Sequence, residues 1–158
     1  MGENHWKDSE QLLQEKRSGA RVGQENEAMA LGTRLEPEAR TRYIARTGKV
    51  VRPACLQSTR YDWLRASVDG LALGGDIVVE IKCGSSVYRR AAQGESVPDY
   101  CYAQTQHILA VTGLNSLDFW CYWPRNPEML IPVRRDAAYI ERLLNFELVF
   151  WNRIREGT

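Results

Sequence analysis

From residue 26 onward, apolar side chains fall at Met29, Leu31, Leu35, Ala39 and Tyr43, close to helical spacing, and Gly48 stands where such a helix would stop. Pro37 lies inside this pattern. Its ring removes a backbone donor and biases Glu36 away from helical geometry, so a kink or a fresh helix start is predicted at Glu36-Pro37. A shorter polar helix is predicted over residues 9–16, ended by Ser18-Gly19. The period then changes. Segments 49–56, 61–67, 71–73 and 77–82 are short and rich in strand formers, with Asp69-Gly70 and Gly74-Gly75-Asp76 as turn signals between them. Pro98 opens a helix running to about Thr112, with Ala103, His107, Ile108 and Val111 as its apolar stripe. Strands are predicted over 117–123 and 130–133. Asp136 then caps a final helix in which Ile140, Leu143, Leu144, Phe150, Trp151 and Ile154 keep the period. This order of elements predicts one α+β domain over residues 1–158, a mixed central β-sheet flanked by helices.

Composition narrows the class. The 158 residues are 44% hydrophobic and 26% charged, ordinary values for a globular protein. No apolar run has the length of a membrane span, and the polar start lacks a signal-peptide core, so a cytoplasmic protein without membrane partners is expected. Cys55, Cys83, Cys101 and Cys121 form no C-x-x-C pair and predict reduced, mostly buried thiols. The net charge of +1 carries no global nucleic-acid signature. Charge is unevenly placed, however: between Arg34 and Arg65 eight basic residues face three acidic ones, a segment suited to a phosphate backbone or simply to solvent.

Candidate chemistry concentrates in Ala66–Lys82. In a strand over 77–82, alternation points Ile77, Val79 and Ile81 into the core and puts Glu80 and Lys82 with Val78 on the other face. Asp69 and Glu80 would supply anionic oxygens to a hard cation, with the Ile81 carbonyl completing the inner shell. Phosphodiester hydrolysis needs such a set, since the metal activates water and offsets charge that a nearby lysine also stabilises. A bare D…E-x-K match is short, and taken alone it favours a hairpin turn and ordinary surface residues.

Four ordered blocks carry more weight. Gly32-Thr-Arg-Leu-Glu36-Pro-Glu-Ala-Arg40 is similar to a G-x-x-x-E-x-x-A-R helix, and Ala66-Ser-Val-Asp69-Gly-Leu71 to A-S-P-D-G-L with Val68 in place of proline. Glu80-Ile-Lys82-Cys83 matches E-[IL]-K-C, and Tyr102-Ala-Gln104-Thr-Gln106-His107 matches Y-x-x-Q-x-Q. Together they resemble the lambda-exonuclease family, the YqaJ-type viral recombinases, within the PD-(D/E)XK nucleases. The resemblance implies a restriction-endonuclease-like core with Asp69 and Glu80 as principal metal ligands and Lys82 as catalytic lysine. It further implies that Glu36 completes the metal site directly or through water, and that Gln104 helps hold the attacking water or scissile strand. Mg²⁺ is the implied cofactor, with Mn²⁺ able to substitute. His107 is read as packed, Glu38 as solvated, and Arg40 as contacting phosphate or pairing with Glu36.

Family members digest linear duplex DNA from the 5′ end and hand a 3′ single strand to an annealing protein in phage recombination. This activity, DNA ends as substrate and a single-strand annealing partner are therefore expected by resemblance. A ring-shaped homotrimer is implied on the same ground, with Trp63, Trp120 and Tyr122 available to an interface or to the core. The family's N-terminal helical segment, which helps recognise the 5′ phosphate, is expected to be missing, and no role is carried over from it. An endonuclease or single-strand nuclease on the same metal core, and a non-catalytic DNA-binding or assembly relative, are the competing readings.

Overall fold

Helix α1, Glu27–Thr47, runs unbroken through Pro37 in the computed structural model, which describes residues 27–156; the helix predicted over 9–16 lies outside them. The predicted break at Glu36-Pro37 is not there. Proline removes one backbone bond, and the burial of Ala39 and Tyr43 beyond it outweighs that loss. The Tyr43 hydroxyl donates to Asp118 at 2.6 Å and Lys49 reaches the same oxygen at 2.7 Å, pinning the end of the helix to the sheet. Gly48, at φ +72°, closes α1 by donating its N–H to the Ile44 carbonyl.

The sheet contains β1 (Val51–Gln57), β2 (Arg65–Ala72), β3 (Val78–Cys83), β4 (Ser116–Tyr122) and β5 (Met129–Arg134), adjacent in that order. Only β3 and β4 run parallel, joined by a crossover containing α2 (Ser85–Gly94) and α3 (Asp99–Thr112); α4 (Ala137–Glu156) closes the chain. The mixed α+β sheet is as predicted. Both edge strands carry a proline. Pro53 sits at the register shift in β1 and Pro132 lies in β5, positions where a missing donor costs no internal ladder bond.

Asp69-Gly70 is not a turn. It lies inside β2, which joins what the sequence suggested were strands 61–67 and 71–73, while Tyr61–Leu64 stays outside the strand. Glycine is needed there because the neighbours approach closely. A Cβ on Gly70 would meet Val79 Cγ1 at 2.5 Å and Val51 Cγ2 at 2.7 Å.

Alternation along β3 is as expected, but both faces are buried. Val79 and Ile81 pack with Trp120 and Tyr122 beneath Ala39 and Tyr43 of α1. Val78 faces a second core with Phe119, Cys121, and Ile108 and Leu109 of α3. Trp120 and Tyr122 are thus core side chains, whereas Trp63 is half-buried against Tyr61. Cys101 and Cys121 are buried, Cys83 partly so, and Cys55 is exposed, against the expectation of mostly buried thiols.

Three helical details depart from the sequence pattern. Helix α2 was not anticipated; its signal is Val87 and Ala91, one turn apart and both buried. The buried stripe of α3 runs through Cys101, Thr105, Ile108 and Leu109, with Ala103 and His107 at its margin. Asp136 caps α4 as predicted, accepting the Tyr139 N–H at 2.9 Å. Yet only Ile140 of that helix is buried, and Phe146, Val149 and Trp151 are exposed.

His107 ties α3 to α4 and β2. Nε2 donates to the Arg65 carbonyl at 2.7 Å and Nδ1 meets Glu147 at 2.8 Å. A neutral ring has one N–H, so only the imidazolium can donate to both acceptors. Burial alone would lower the His107 pKa; the Glu147 carboxylate and the Arg65 carbonyl outweigh it and raise the pKa above the usual histidine value.

Two outcomes follow. Gly70→Ala should destabilise the domain by about 1–3 kcal/mol through overpacking between stiff valines, read as a lower midpoint in urea denaturation. Because its folded pKa is raised, His107 contributes stability that is fully present below pH ~6.5 and lost as pH rises through the folded value. The Tm gap between wild type and His107→Gln should therefore be widest near pH 5.5 and shrink by pH 9; a constant gap would contradict the imidazolium bridge.

Candidate metal centre

The centre forms where β2 and β3 part. Their ladder covers Leu71–Val78 and Gly70–Val79 and goes no further. At the next step Asp69 replaces the missing strand partner, its Oδ2 accepting the Ile81 N–H at 2.7 Å. A strand residue presents its N–H and C=O to the same neighbour, so the Ile81 carbonyl lies on this opened edge beside the Asp69 carboxylate.

Glu80 faces the opposite way from Ile81, into the side covered by α3. It is 1% exposed. Oε1 accepts from Lys82 Nζ at 2.6 Å, while Oε2 is buried with no hydrogen-bond partner among the described residues. Burial is the main force raising the Glu80 pKa. Lys82 works against it, and the Asp69 carboxylate adds to it. Two close carboxylates, one of them desolvated with a free oxygen, form a site deficient in positive charge. That is the condition a hard, oxygen-seeking cation relieves.

The charged form of Lys82 is favoured. Burial would lower its pKa, but Glu80 reverses the direction. Its ammonium also donates to Gln104 Oε1 at 2.9 Å, so Glu80, Lys82 and Gln104 form one line from β3 to the exposed side of α3. The two glutamines of the Q-x-Q block have separate tasks. Gln106 is fully buried, donating to the Arg134 carbonyl at 2.9 Å and accepting the Asp136 N–H at 2.9 Å, which fixes the start of α4.

Glu36 approaches from the other side of the sheet. Helix α1 rests on β3 at Gly32, where a Cβ would lie 3.5 Å from the Cys83 carbonyl, and Glu36 follows one turn later. Arg40 donates to Glu36 Oε1 and, through Nε, to the Asp69 carbonyl at 2.7 Å. The helix carboxylate is thus held by Arg40. Among the described residues no three His, Cys, Asp or Glu side chains stand together at metal-ligand spacing. Asp69 lies close enough to Glu80 to raise its pKa, and Glu36 is paired with Arg40. Glu38, expected in solvent, accepts the Tyr122 hydroxyl at 2.5 Å.

An open cleft of about 470 Å³ runs past this point, lined by Glu36, Ile81, Lys82, Ser85, Tyr100 and Trp123. Sequence reasoning missed Tyr100, Trp123 and the Arg40–Asp69 bond. The first two carried no spacing signal, and the third links residues that only tertiary structure joins.

Fold and site together define a mixed-sheet α+β domain with an acidic, lysine-bearing strand. The chain belongs to the family of the YqaJ-like viral recombinase domain, which it matches over residues 1–115. It is 28% identical over 157 residues to the uncharacterized protein YqaJ of Bacillus subtilis (strain 168), a match covering 96% of this chain and 49% of that one. The chain therefore spans about half the length of that curated relative. It superposes on the alkaline exonuclease LHK-Exo of Laribacter hongkongensis with a TM-score of 0.80 and 28% identity, over 94% of this chain and 78% of that chain. The same enzyme in complex with dAMP gives a TM-score of 0.81 with the same coverage. A phage-related exonuclease of Haemophilus somnus 129PT shares the fold, with a TM-score of 0.68, 12% identity, and coverage of 95% and 82%.

Proposed function

We propose that this protein is a divalent-metal-dependent deoxyribonuclease, acting as a 5′-to-3′ exonuclease on linear double-stranded DNA in phage-type recombination. The observation carrying this reading is the buried, half-partnered Glu80 beside Asp69, in line with Lys82 and Gln104. An exonuclease of similar fold, also solved with dAMP, supports nucleic acid as the substrate class.

Asp69, Glu80 and the Ile81 carbonyl would hold the metal, with Glu36 reaching it through water. Bound Mg²⁺, or Mn²⁺ in its place, would lower the pKa of an attacking water and offset charge on the phosphoryl oxygens. The protein's own groups do the rest. Lys82, whose charged form is favoured by Glu80, donates to the phosphoryl oxygens or orients the water. Gln104 holds the Lys82 ammonium on the cleft side and offers its amide to the scissile strand. Burial of Glu80 keeps water from competing for its oxygens. A single-strand annealing protein is the partner this activity calls for, and a homotrimer would suit processive digestion.

The test uses linear duplex DNA labelled separately at each end, beside a covalently closed circle, in Mg²⁺ and then in EDTA. Wild type should release the 5′ label first, spare the circle and stop in EDTA. Lys82→Ala should lose at least about a hundred-fold in kcat, the scale of removing a preorganised charge-stabilising donor. Cutting of the circle would replace exonuclease by endonuclease on the same centre. Absence of cleavage of duplex and single-stranded DNA in both Mg²⁺ and Mn²⁺ would overturn the enzymatic reading.

A further inference from the structure

We propose that Arg40 is a positioning residue of the metal centre: one guanidinium fixes Glu36 of α1 against the Asp69 strand and thereby sets the spacing at which the helix carboxylate meets a bound cation. This deepens the metal-dependent reading above and rests on it. The Arg40 side chain is only 14% exposed. Its Nε–H donates to the Asp69 carbonyl at 2.7 Å and its Nη2–H to Glu36 Oε1, so two donors of one planar fork are used inside the protein.

The Asp69 bond makes this more than a helix-surface pair. An i,i+4 ion pair alone contributes little and orders nothing beyond its own helix. Here the second donor reaches a residue 29 positions away, at the backbone of the same Asp69 whose carboxylate takes the Ile81 N–H. Arg40 therefore links α1 to β2, and Asp69 links β2 to β3. Two of the five guanidinium donors are thus committed to acceptors in the fold, so the KM for DNA has to be read beside metal affinity.

Electrostatics makes the proposal decidable. A cation beside Asp69 and Glu36 repels an incoming metal ion, so if Arg40 acted only through its charge, removing it would tighten metal binding. If it acts by positioning, removing it loosens binding, because Glu36 and the Asp69 backbone lose their common anchor. The two accounts predict opposite signs. Loss of an outer-sphere partner of this kind typically weakens metal affinity about ten- to a hundred-fold.

The experiment titrates the full chain, free of DNA, with Mn²⁺ by calorimetry for wild type, Arg40→Met and Arg40→Lys, with thermal melts and with kcat and KM on end-labelled duplex. We expect Mn²⁺ Kd to rise at least about ten-fold in Arg40→Met, with kcat falling and KM for DNA little changed. Arg40→Lys restores the charge but not the fork and should recover only part of the loss. Unchanged or tighter Mn²⁺ binding in Arg40→Met overturns the proposal, as does a rise in KM with kcat preserved, which marks a phosphate contact. Full recovery by Arg40→Lys also overturns it, by showing that the two-donor fork is not what holds Glu36 and the Asp69 backbone together. Should Arg40→Met be unfolded at the assay temperature, Arg40→Lys decides alone: wild-type affinity contradicts positioning. A wild type that binds no Mn²⁺ removes the metal-centre reading itself, whereas wild-type binding with unaffected variants removes only the role of Arg40.

Discussion

A carboxylate taken out of water must be paired or it destabilises the fold, and Glu80 is taken almost entirely out of water with one oxygen unpartnered among the described residues. The rest of the site arranges itself around that constraint. Lys82 holds one oxygen and is itself steadied by Gln104. Asp69 adds a second carboxylate instead of a counter-charge, which makes the spot worse for an empty protein and better for a bound cation. A fold optimised for stability alone would have an apolar residue at this position. Departures of this kind are what a candidate functional site is expected to show.

The sheet makes this arrangement possible. Burial on both faces lets consecutive residues of β3 serve different masters: Val79 and Ile81 anchor under α1, while Glu80 and Lys82 work under α3. Parting of β2 from β3 leaves backbone polar groups without a ladder, and the Asp69 side chain takes one of them. Gly70 permits the close approach just before that point. Arg40 then joins the helix above the sheet to the strand edge.

Most of the fold was legible because period and punctuation are local. Gly48, Pro98 and Asp136 mark helix ends where the structure has them, and the alternation of β3 sorted its side chains correctly. The errors share a cause. Asp69-Gly70 reads as a turn in any local scheme; that it is a close-contact point between strands depends on Val51 and Val79, which are distant in sequence. Pro37 reads as a break until the burial of Ala39 and Tyr43 is counted. Helix α2 is short and polar, so two buried residues were too weak a signal. At the candidate site, Asp69, Glu80, Lys82 and Gln104 were singled out through ordered blocks resembling a known family; Lys82 bonds to both Glu80 and Gln104, and Asp69 lies close enough to Glu80 to raise its pKa. Glu36 was named too, but its capture by Arg40 needed coordinates.

Completion of the Glu80–Asp69 pair by a divalent cation is read from thermal denaturation of the DNA-free protein at pH 8 against increasing Mg²⁺ and Mn²⁺, beside Glu80→Gln. A ligand that binds only the folded state at a hundred times its Kd stabilises by about 2.7 kcal/mol, so the wild-type Tm should climb by several degrees. Glu80→Gln should lose most of that climb. A wild-type Tm that stays flat into the millimolar range, or an equal shift in Glu80→Gln, would contradict the account.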